Sequence, residues 1–137
     1  MEWRRDEYVI SDDRERVQVG VVADLLGKTL WGRRRPREVV VKLVQASMCF
    51  SLFRGGEQVG FARVVTDSSV FSWLSDVVLR EDVRGRGLGR WLVGCILEHP
   101  QIRGTQFVLQ TTEAAGLYRK FGFEGNGKLM TRIPPDG

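Results

Sequence analysis

The chain has 137 residues, 42% of them hydrophobic and 28% charged, which is enough for one domain with its own core. Its 21 basic and 17 acidic residues leave a net charge of +4, and the one dense basic cluster is Arg33-Arg34-Arg35. This pattern does not favour a nucleic-acid-binding protein, which usually combines clustered charge with exposed aromatic residues. No apolar run approaches the ~20 residues that cross a bilayer, and the first residues lack the apolar core of a secretory signal.

Strands and helices alternate along the predicted chain. Strands are predicted at 7–10, 48–54, 58–66, 70–80, 106–110 and 123–133. Helices are predicted at 14–26, 36–47, 88 to about 98 and 113–120, the last capped by Thr112. This order predicts an α/β (α+β) layer protein with a mixed, mostly antiparallel sheet and about four helices. The helical crossover predicts that the strands at 70–80 and 106–110 are parallel.

The two cysteines, Cys49 and Cys95, both lie in apolar segments and form no metal or redox spacing. We therefore predict buried, reduced thiols, no bound metal and a cytoplasmic protein. Neither cysteine has a base in its local sequence that would make it a nucleophile.

A glycine-rich turn, Arg84-Gly85-Arg86-Gly87-Leu88-Gly89-Arg90, lies between a predicted strand and a predicted helix. Glycine lets a ligand approach the backbone, and the first N–H groups of a helix are unpaired at the positive end of its dipole. The turn therefore predicts a phosphate-binding site. A dinucleotide fingerprint would need a third glycine in place of Arg90, and the chain contains no Gly-Lys-Ser/Thr of a P-loop.

A second motif, Leu117-Tyr118-Arg119-Lys120-Phe121-Gly122-Phe123, follows downstream. Together and in this order, the two motifs resemble the signatures of the GCN5-related N-acetyltransferases (GNAT), over roughly residues 40 to 125. The resemblance implies a single GNAT domain over 1–137, with a sheet splayed between its fourth and fifth strands and acetyl-CoA in the gap. It implies cofactor contacts at Val77, Val78, Leu79, Arg84, Gly85, Arg86, Gly87, Leu88, Gly89, Arg90 and Thr111.

The resemblance implies one catalytic group, Tyr118, and leaves the general base unassigned. Tyr118 matches the family tyrosine near the cofactor sulfur, whose phenol can give a proton to the leaving thiolate. The carboxylate base of the histone-modifying branch falls at Trp73 here, so that base is absent. Asp76 is the remaining candidate base. It lies three residues further along the strand than Trp73, so we expect it on the opposite face. The alternative interpretation is a buried carboxylate that is hydrogen-bonded to the backbone. Asp67, in the adjoining hairpin loop, is a more distant candidate.

For the acceptor, the family often uses the connection between the first two helices. Here Trp31 and Arg34 lie in that connection, and Trp73 could line the same pocket. An aromatic wall with a guanidinium group fits a small amine that also carries a carboxylate or phosphate.

The resulting prediction is an enzyme that transfers the acetyl group of acetyl-CoA to a primary amine by direct attack. One alternative is a non-catalytic acyl-CoA-binding or regulatory module on the same fold. Another is a small nucleic-acid-associated protein that uses Arg33-Arg34-Arg35. The exposed terminal strand also offers an edge for a homodimer.

Overall fold

A computed structural model describes residues 1–29, 32–125 and 127–135 of the chain. The strands of these residues are β1 (Glu2–Arg5), β2 (Tyr8–Ser11), β3 (Met48–Arg54), β4 (Glu57–Thr66), β5 (Phe71–Leu79) and β6 (Gln106–Val108). The helices are α1 (Val19–Gly27), α2 (Arg37–Ala46), α3 (Leu88–Leu97) and α4 (Ala115–Arg119), with short 3-10 turns at Arg14–Arg16 and Glu81–Val83. The strands form one mixed sheet in the order β1-β2-β3-β4-β5-β6. The β5–β6 pair is parallel and the other pairs are antiparallel, which confirms the predicted crossover.

The sheet begins with a hairpin of which only the second strand was predicted. β1 pairs with β2 around a turn in which Asp6 has a left-handed φ of 53°. Three of the four β1 residues are charged and exposed, so the segment has no apolar periodicity. It is a strand because β2 offers its backbone for pairing, and its charged side chains suit an edge.

The first helix starts later than its apolar residues predict. Residues 14–16 form a 3-10 turn, and Gln18 is extended with φ −89° and ψ 90°. The buried Gln58 side chain on β4 accepts the Gln18 backbone N–H at 2.8 Å, and the Gln18 side chain donates to the Gly56 carbonyl at 2.9 Å. These contacts between distant segments hold Gln18 extended, so α1 begins at Val19.

Two apolar clusters cover the two faces of the sheet. The larger cluster packs α3 and α4 against β2 to β5, with Leu52, Leu74, Leu92 and Ile96 among its buried members. The smaller cluster packs α1 and α2 against the other face, through side chains such as Val22, Val40, Phe61 and Val78. The sheet is therefore the middle layer between two helical layers, as the order of elements predicts.

The predicted strand at 123–133 is wrong: its described residues, 123–125 and 127–133, contain no strand. Gly125 and Gly127 interrupt the segment, and glycine weakens a strand because it loses more backbone entropy and packs no side chain. Leu129, Met130 and Ile133 are exposed, so the apolar residues that indicated a strand are not buried against the sheet.

Candidate active site

The sheet opens between β5 and β6. These strands pair at three positions only, from Phe71 with Gln106 to Trp73 with Val108. β6 ends at Val108, whereas β5 continues to Leu79. The strands therefore part beyond Trp73, and one edge of β5 faces the resulting gap. This is the splay that the resemblance implies between the fourth and fifth predicted strands.

The glycine-rich turn leads from this end of β5 into α3. Gly85 and Gly87 both have a left-handed φ of 77°, which favours glycine. Gly87 is the N-cap of α3, and no side chain caps the helix. The first intrahelical bond of the backbone runs from the Trp91 N–H to the Gly87 carbonyl at 3.0 Å. The N–H groups of the three residues before Trp91 are thus the unpaired donors expected of an anion site.

The other residues of the turn contribute in different ways. Gly89 is not left-handed, and a methyl group there would meet only a Leu79 side-chain carbon, at an ordinary 3.5 Å. Packing around position 89 therefore does not require glycine. The Arg84 Nε donates to the Leu79 carbonyl at 3.1 Å, and an Arg86 nitrogen lies 3.4 Å from the Tyr8 hydroxyl. These two guanidinium groups tie the turn to β5 and β2.

A groove of about 490 Å³ continues from Gly87 along the outer side of α3. Arg90 and Trp91 line it, and Arg5 from β1 stacks on the Trp91 ring with its guanidinium carbon 4.8 Å from the ring centroid. The sequence predicted Arg90 as a cofactor contact but missed Arg5, because β1 itself was not predicted. The groove places two cations beside the glycine-rich turn that the sequence predicts to bind phosphate.

Tyr118 lies on α4 and packs into the larger apolar cluster. Its ring meets the edge of Phe123, with the centroids 5.8 Å apart. Burial raises the pKa of the Tyr118 phenol above its ordinary value, so the group is protonated in neutral solution. A phenol in this state can serve as a proton donor.

Thr111, rather than Thr112, makes the polar contact before α4. Its hydroxyl oxygen accepts the Ala114 N–H at 2.9 Å. No side chain caps α4, so the predicted cap at Thr112 is wrong. The exposed Thr111 lies beyond the end of β6, on the segment that borders the gap.

Asp76 is not on the face that strand alternation predicts. β4 and β5 shift register between Phe61 and Arg63, and Asp76 has a left-handed φ of 56°. This bulge turns the Asp76 carboxylate to the face of Arg63 and Trp73, where it accepts hydrogen bonds at 2.6 Å from Arg63 and from Arg35. The expectation of an opposite face is therefore wrong, and the partners are side chains rather than backbone.

Two of the three residues predicted to contact the acceptor lie within the described part of the chain. Trp73 is half-buried at the last β5–β6 pair, at the mouth of the gap. Arg34 is exposed on the connection between α1 and α2. Trp31 lies outside the described residues.

The remaining candidate groups have structural partners. Oδ1 of Asp67 accepts the backbone N–H groups of Val70, Phe71 and Ser69, which lower the pKa of this carboxyl to about 2. The buried His99 ring accepts the Gln101 N–H at Nδ1, so Nε2 carries the proton and donates to Asp12 at 2.8 Å. These hydrogen bonds stabilise local structure, and both the Asp67 carboxylate and the His99 ring are engaged in them.

Both cysteines are buried and unpaired in the described structure, as predicted, and burial raises the pKa of each thiol to about 11. Among residues 1–29, 32–125 and 127–135, no group of three or more His, Cys, Asp or Glu side chains could hold a metal ion. None of the helices in these ranges is long and apolar enough to cross a membrane.

A mixed sheet that parts beside an uncapped helix N-terminus defines the class of acyl-CoA acyltransferase folds. The family model of the acetyltransferase (GNAT) domain matches residues 45–125, in agreement with this fold. A solved structure from Xanthomonas campestris pv. campestris, described as a "putative acetyltransferase belonging to the gnat family", is 34% identical with a TM-score of 0.88, and the match covers 93% of this chain and 94% of that one. The chain belongs to the GNAT acetyltransferase family.

More distant relatives agree with this assignment. A "Putative acetyltransferase" of Gibberella zeae is 28% identical over 142 residues, which cover 86% of this chain and 79% of the relative. The glucosamine-6-phosphate N-acetyltransferase of Arabidopsis thaliana is 18% identical with a TM-score of 0.67, over 92% of this chain and 97% of that one. At this level of identity, the similarity to the Arabidopsis thaliana protein shows a shared fold and nothing about the substrate.

Proposed function

We propose that the protein transfers the acetyl group of acetyl-CoA to a primary amine of a small-molecule acceptor. The observation that carries the proposal is the uncapped N-terminus of α3 beside the open edge of β5. The free amides of Leu88, Gly89 and Arg90 would bind the CoA diphosphate. The backbone of Val77 to Leu79 would pair with the pantetheine arm as an added strand would.

The reaction proposed is direct attack. The amine nitrogen bonds to the thioester carbonyl carbon, the carbon–sulfur bond breaks, and its electron pair goes to the CoA sulfur. A backbone N–H at the β5 edge would stabilise the developing oxyanion. Tyr118 would give its phenol proton to the thiolate, the proton of the amine would leave to water, and the Tyr118 phenolate would regain a proton from water. No covalent enzyme intermediate is proposed, since the burial that raises the pKa of Cys49 and Cys95 keeps both thiols protonated.

The acceptor would enter where Trp73 lies at the mouth of the gap. Arg34 on the connection between α1 and α2 would provide a guanidinium group on the same side. An aromatic ring and a guanidinium group favour, as the acceptor, a small amine that also carries a carboxylate or phosphate. Trp31 remains a proposed contact on sequence grounds alone.

The direct test is thiol release from acetyl-CoA in the presence of single amines, amino acids, amino-sugar phosphates and polyamines. We expect micromolar binding of acetyl-CoA by calorimetry and turnover with at least one acceptor that carries an anionic group. Tight binding with no turnover on any acceptor would instead select the non-catalytic acyl-CoA-binding module. Binding to nucleic acid that weakens steeply with salt, without any acetyl-CoA binding, would select the nucleic-acid-associated alternative.

The groove along α3 leads to a prediction on cofactor recognition. Arg90→Gln is expected to raise the KM for acetyl-CoA about tenfold, or about 1.4 kcal/mol, because it removes a cation beside the diphosphate site. The KM for 3′-dephospho-acetyl-CoA should rise by a similar factor, because that cofactor keeps the diphosphate. Arg103→Gln, an exposed arginine just after α3, is the matched control and should change neither constant. A loss confined to acetyl-CoA, with the KM for the dephospho cofactor unchanged, would contradict the role of Arg90 at the diphosphate.

A further inference from the structure

The bulge in β5 has an unusual backbone. Phe61 pairs with Val78 and Arg63 pairs with Ser75, so the single residue between them on β4 faces two on β5, Asp76 and Val77. Asp76 has a φ of 56°, a left-handed conformation that an L-residue adopts at an energetic cost. Such a conformation persists where surrounding contacts over-determine it, and it often marks a functional site.

Two guanidinium groups supply those contacts. Oδ2 of Asp76 accepts hydrogen bonds from Arg35 and from Arg63, each at 2.6 Å, and the side chain is 1% exposed. The Ser75 hydroxyl donates to Oδ1 at 3.3 Å. Arg63 also donates to the Ser47 hydroxyl at 3.2 Å, just after α2. A single buried carboxylate therefore joins β4, β5 and the connection between α1 and α2.

The bulge lies beside the gap between β5 and β6. The last β5–β6 pair is at Trp73, so the bulge lies on the stretch of β5 whose edge faces the gap. Val77, the second residue of the bulge, is the first of the backbone groups proposed to align the acyl arm. Arg35, at the other end of the ion pair, ends the connection that borders the acceptor side. The Asp76 carboxylate thus lies between the two halves of the proposed site.

The same geometry argues against Asp76 as the general base. A base must offer a lone pair to the proton that it removes. Oδ2 of Asp76 already accepts from two guanidinium groups, and the side chain is sealed from solvent. Its carboxylate is therefore placed to hold other groups in position.

We propose that Asp76 is a positioning residue. Through Arg35 and Arg63, it holds the left-handed bulge at which the acyl arm is aligned, and it couples the α1–α2 connection to that bulge. The inference rests on the proposed function for its catalytic consequence. Its structural part, the dependence of the bulge on the ion pairs, stands without any ligand.

The structural part is tested on the unliganded protein by the backbone amide NMR signals of Val77 and Val78. Asp76→Asn and Arg35→Gln are both expected to shift these signals, whereas Arg33→Gln, an exposed arginine of the same connection, should not. If Asp76→Asn does not fold, Arg35→Gln and Arg63→Lys carry the same test, because each partner is itself partly exposed. Unchanged signals in these variants would overturn the proposal.

The catalytic part is tested by kinetics on the folded variants. Asp76→Asn is expected to lower kcat about tenfold, to leave the Kd for acetyl-CoA within twofold, and to keep the acid limb of the kcat/KM profile. The double variant Asp76→Asn with Arg35→Gln should lose little more than Asp76→Asn alone, since the contact with Arg35 is already removed in that variant. A loss of the acid limb with a much larger fall in kcat would show that Asp76 is the base.

The two proposals fail in different ways. If the wild-type protein binds no acyl-CoA, the proposed function fails, while the amide signals still decide whether the carboxylate holds the bulge. If the wild-type protein is active and Asp76→Asn changes neither kcat nor the amide signals, the positioning role fails and the proposed function stands.

Discussion

Gly87→Val is expected to raise the Kd for acetyl-CoA about 100-fold, which corresponds to about 2.7 kcal/mol at 25 °C. Gly87 has a φ of 77°, a conformation that a β-branched residue adopts only with strain. It is also the N-cap of α3, so any relaxation of its backbone moves the amides that are proposed to bind the diphosphate. A Cβ built there meets no atom within 4 Å, so a side chain would occupy the open space through which the diphosphate is proposed to approach.

Gly55→Val is the matched control for this substitution. Gly55 lies in the turn between β3 and β4, has a φ of 61°, and its built Cβ also meets nothing within 4 Å. Both variants should lose a similar roughly 1–2 kcal/mol of folding stability from backbone strain, measured by denaturant unfolding. Only Gly87→Val should lose cofactor affinity in calorimetry, and an equal loss of affinity in Gly55→Val would refute the phosphate role.

Tyr118→Phe is expected to lower kcat about 100-fold, because a positioned general acid contributes about 10²–10⁴ to the rate. The Kd for acetyl-CoA should stay within twofold. The fold should be retained, since the phenylalanine ring keeps the packing against Phe123. Thiol release under saturating substrates, together with calorimetry, separates these effects. A variant that binds and turns over normally would remove Tyr118 from the mechanism.

The pH profile offers a second readout of the same residue. A general acid must be protonated, and burial raises the pKa of Tyr118 above its usual ~10. The midpoint of the alkaline decline of kcat in the wild type should therefore lie above the ~10 of a free phenol, and Tyr118→Phe should lack that decline. Tyr8→Phe removes the other tyrosine hydroxyl, which lies near Arg86. It should alter the KM for acetyl-CoA and leave the alkaline limb in place.

Much of the fold could be predicted from local signals. The hairpin of β3 and β4, the helix α3 and the left-handed glycines of the turn follow from apolar periodicity and from the freedom of glycine. The parallel β5–β6 pair follows from its helical crossover. The order of two motifs indicated the family, which the comparisons confirm.

Other features had no local signal. β1 is charged and becomes a strand only by pairing with β2, and α1 begins at Val19 only because Gln58 holds Gln18 extended. The segment after Phe123 reads as a strand but has no strand in its described residues. A partner outside the segment decided the first two cases, the neighbouring strand for β1 and a residue 40 positions away for Gln18, and propensity cannot include such a partner. At 123–133 the two glycines and the lack of burial decided against a strand.

The candidate site divides in the same way. The glycine turn and the uncapped N-terminus of α3 were determined by the sequence itself, because backbone conformation and unpaired amides are properties of a short segment. The environment of Asp76 was decided only by the tertiary structure. Its bulge and its bonds to Arg35 and Arg63 join residues up to 41 positions apart, and strand alternation alone predicts the wrong face. An ion pair depends on distances between segments, which only the folded chain determines.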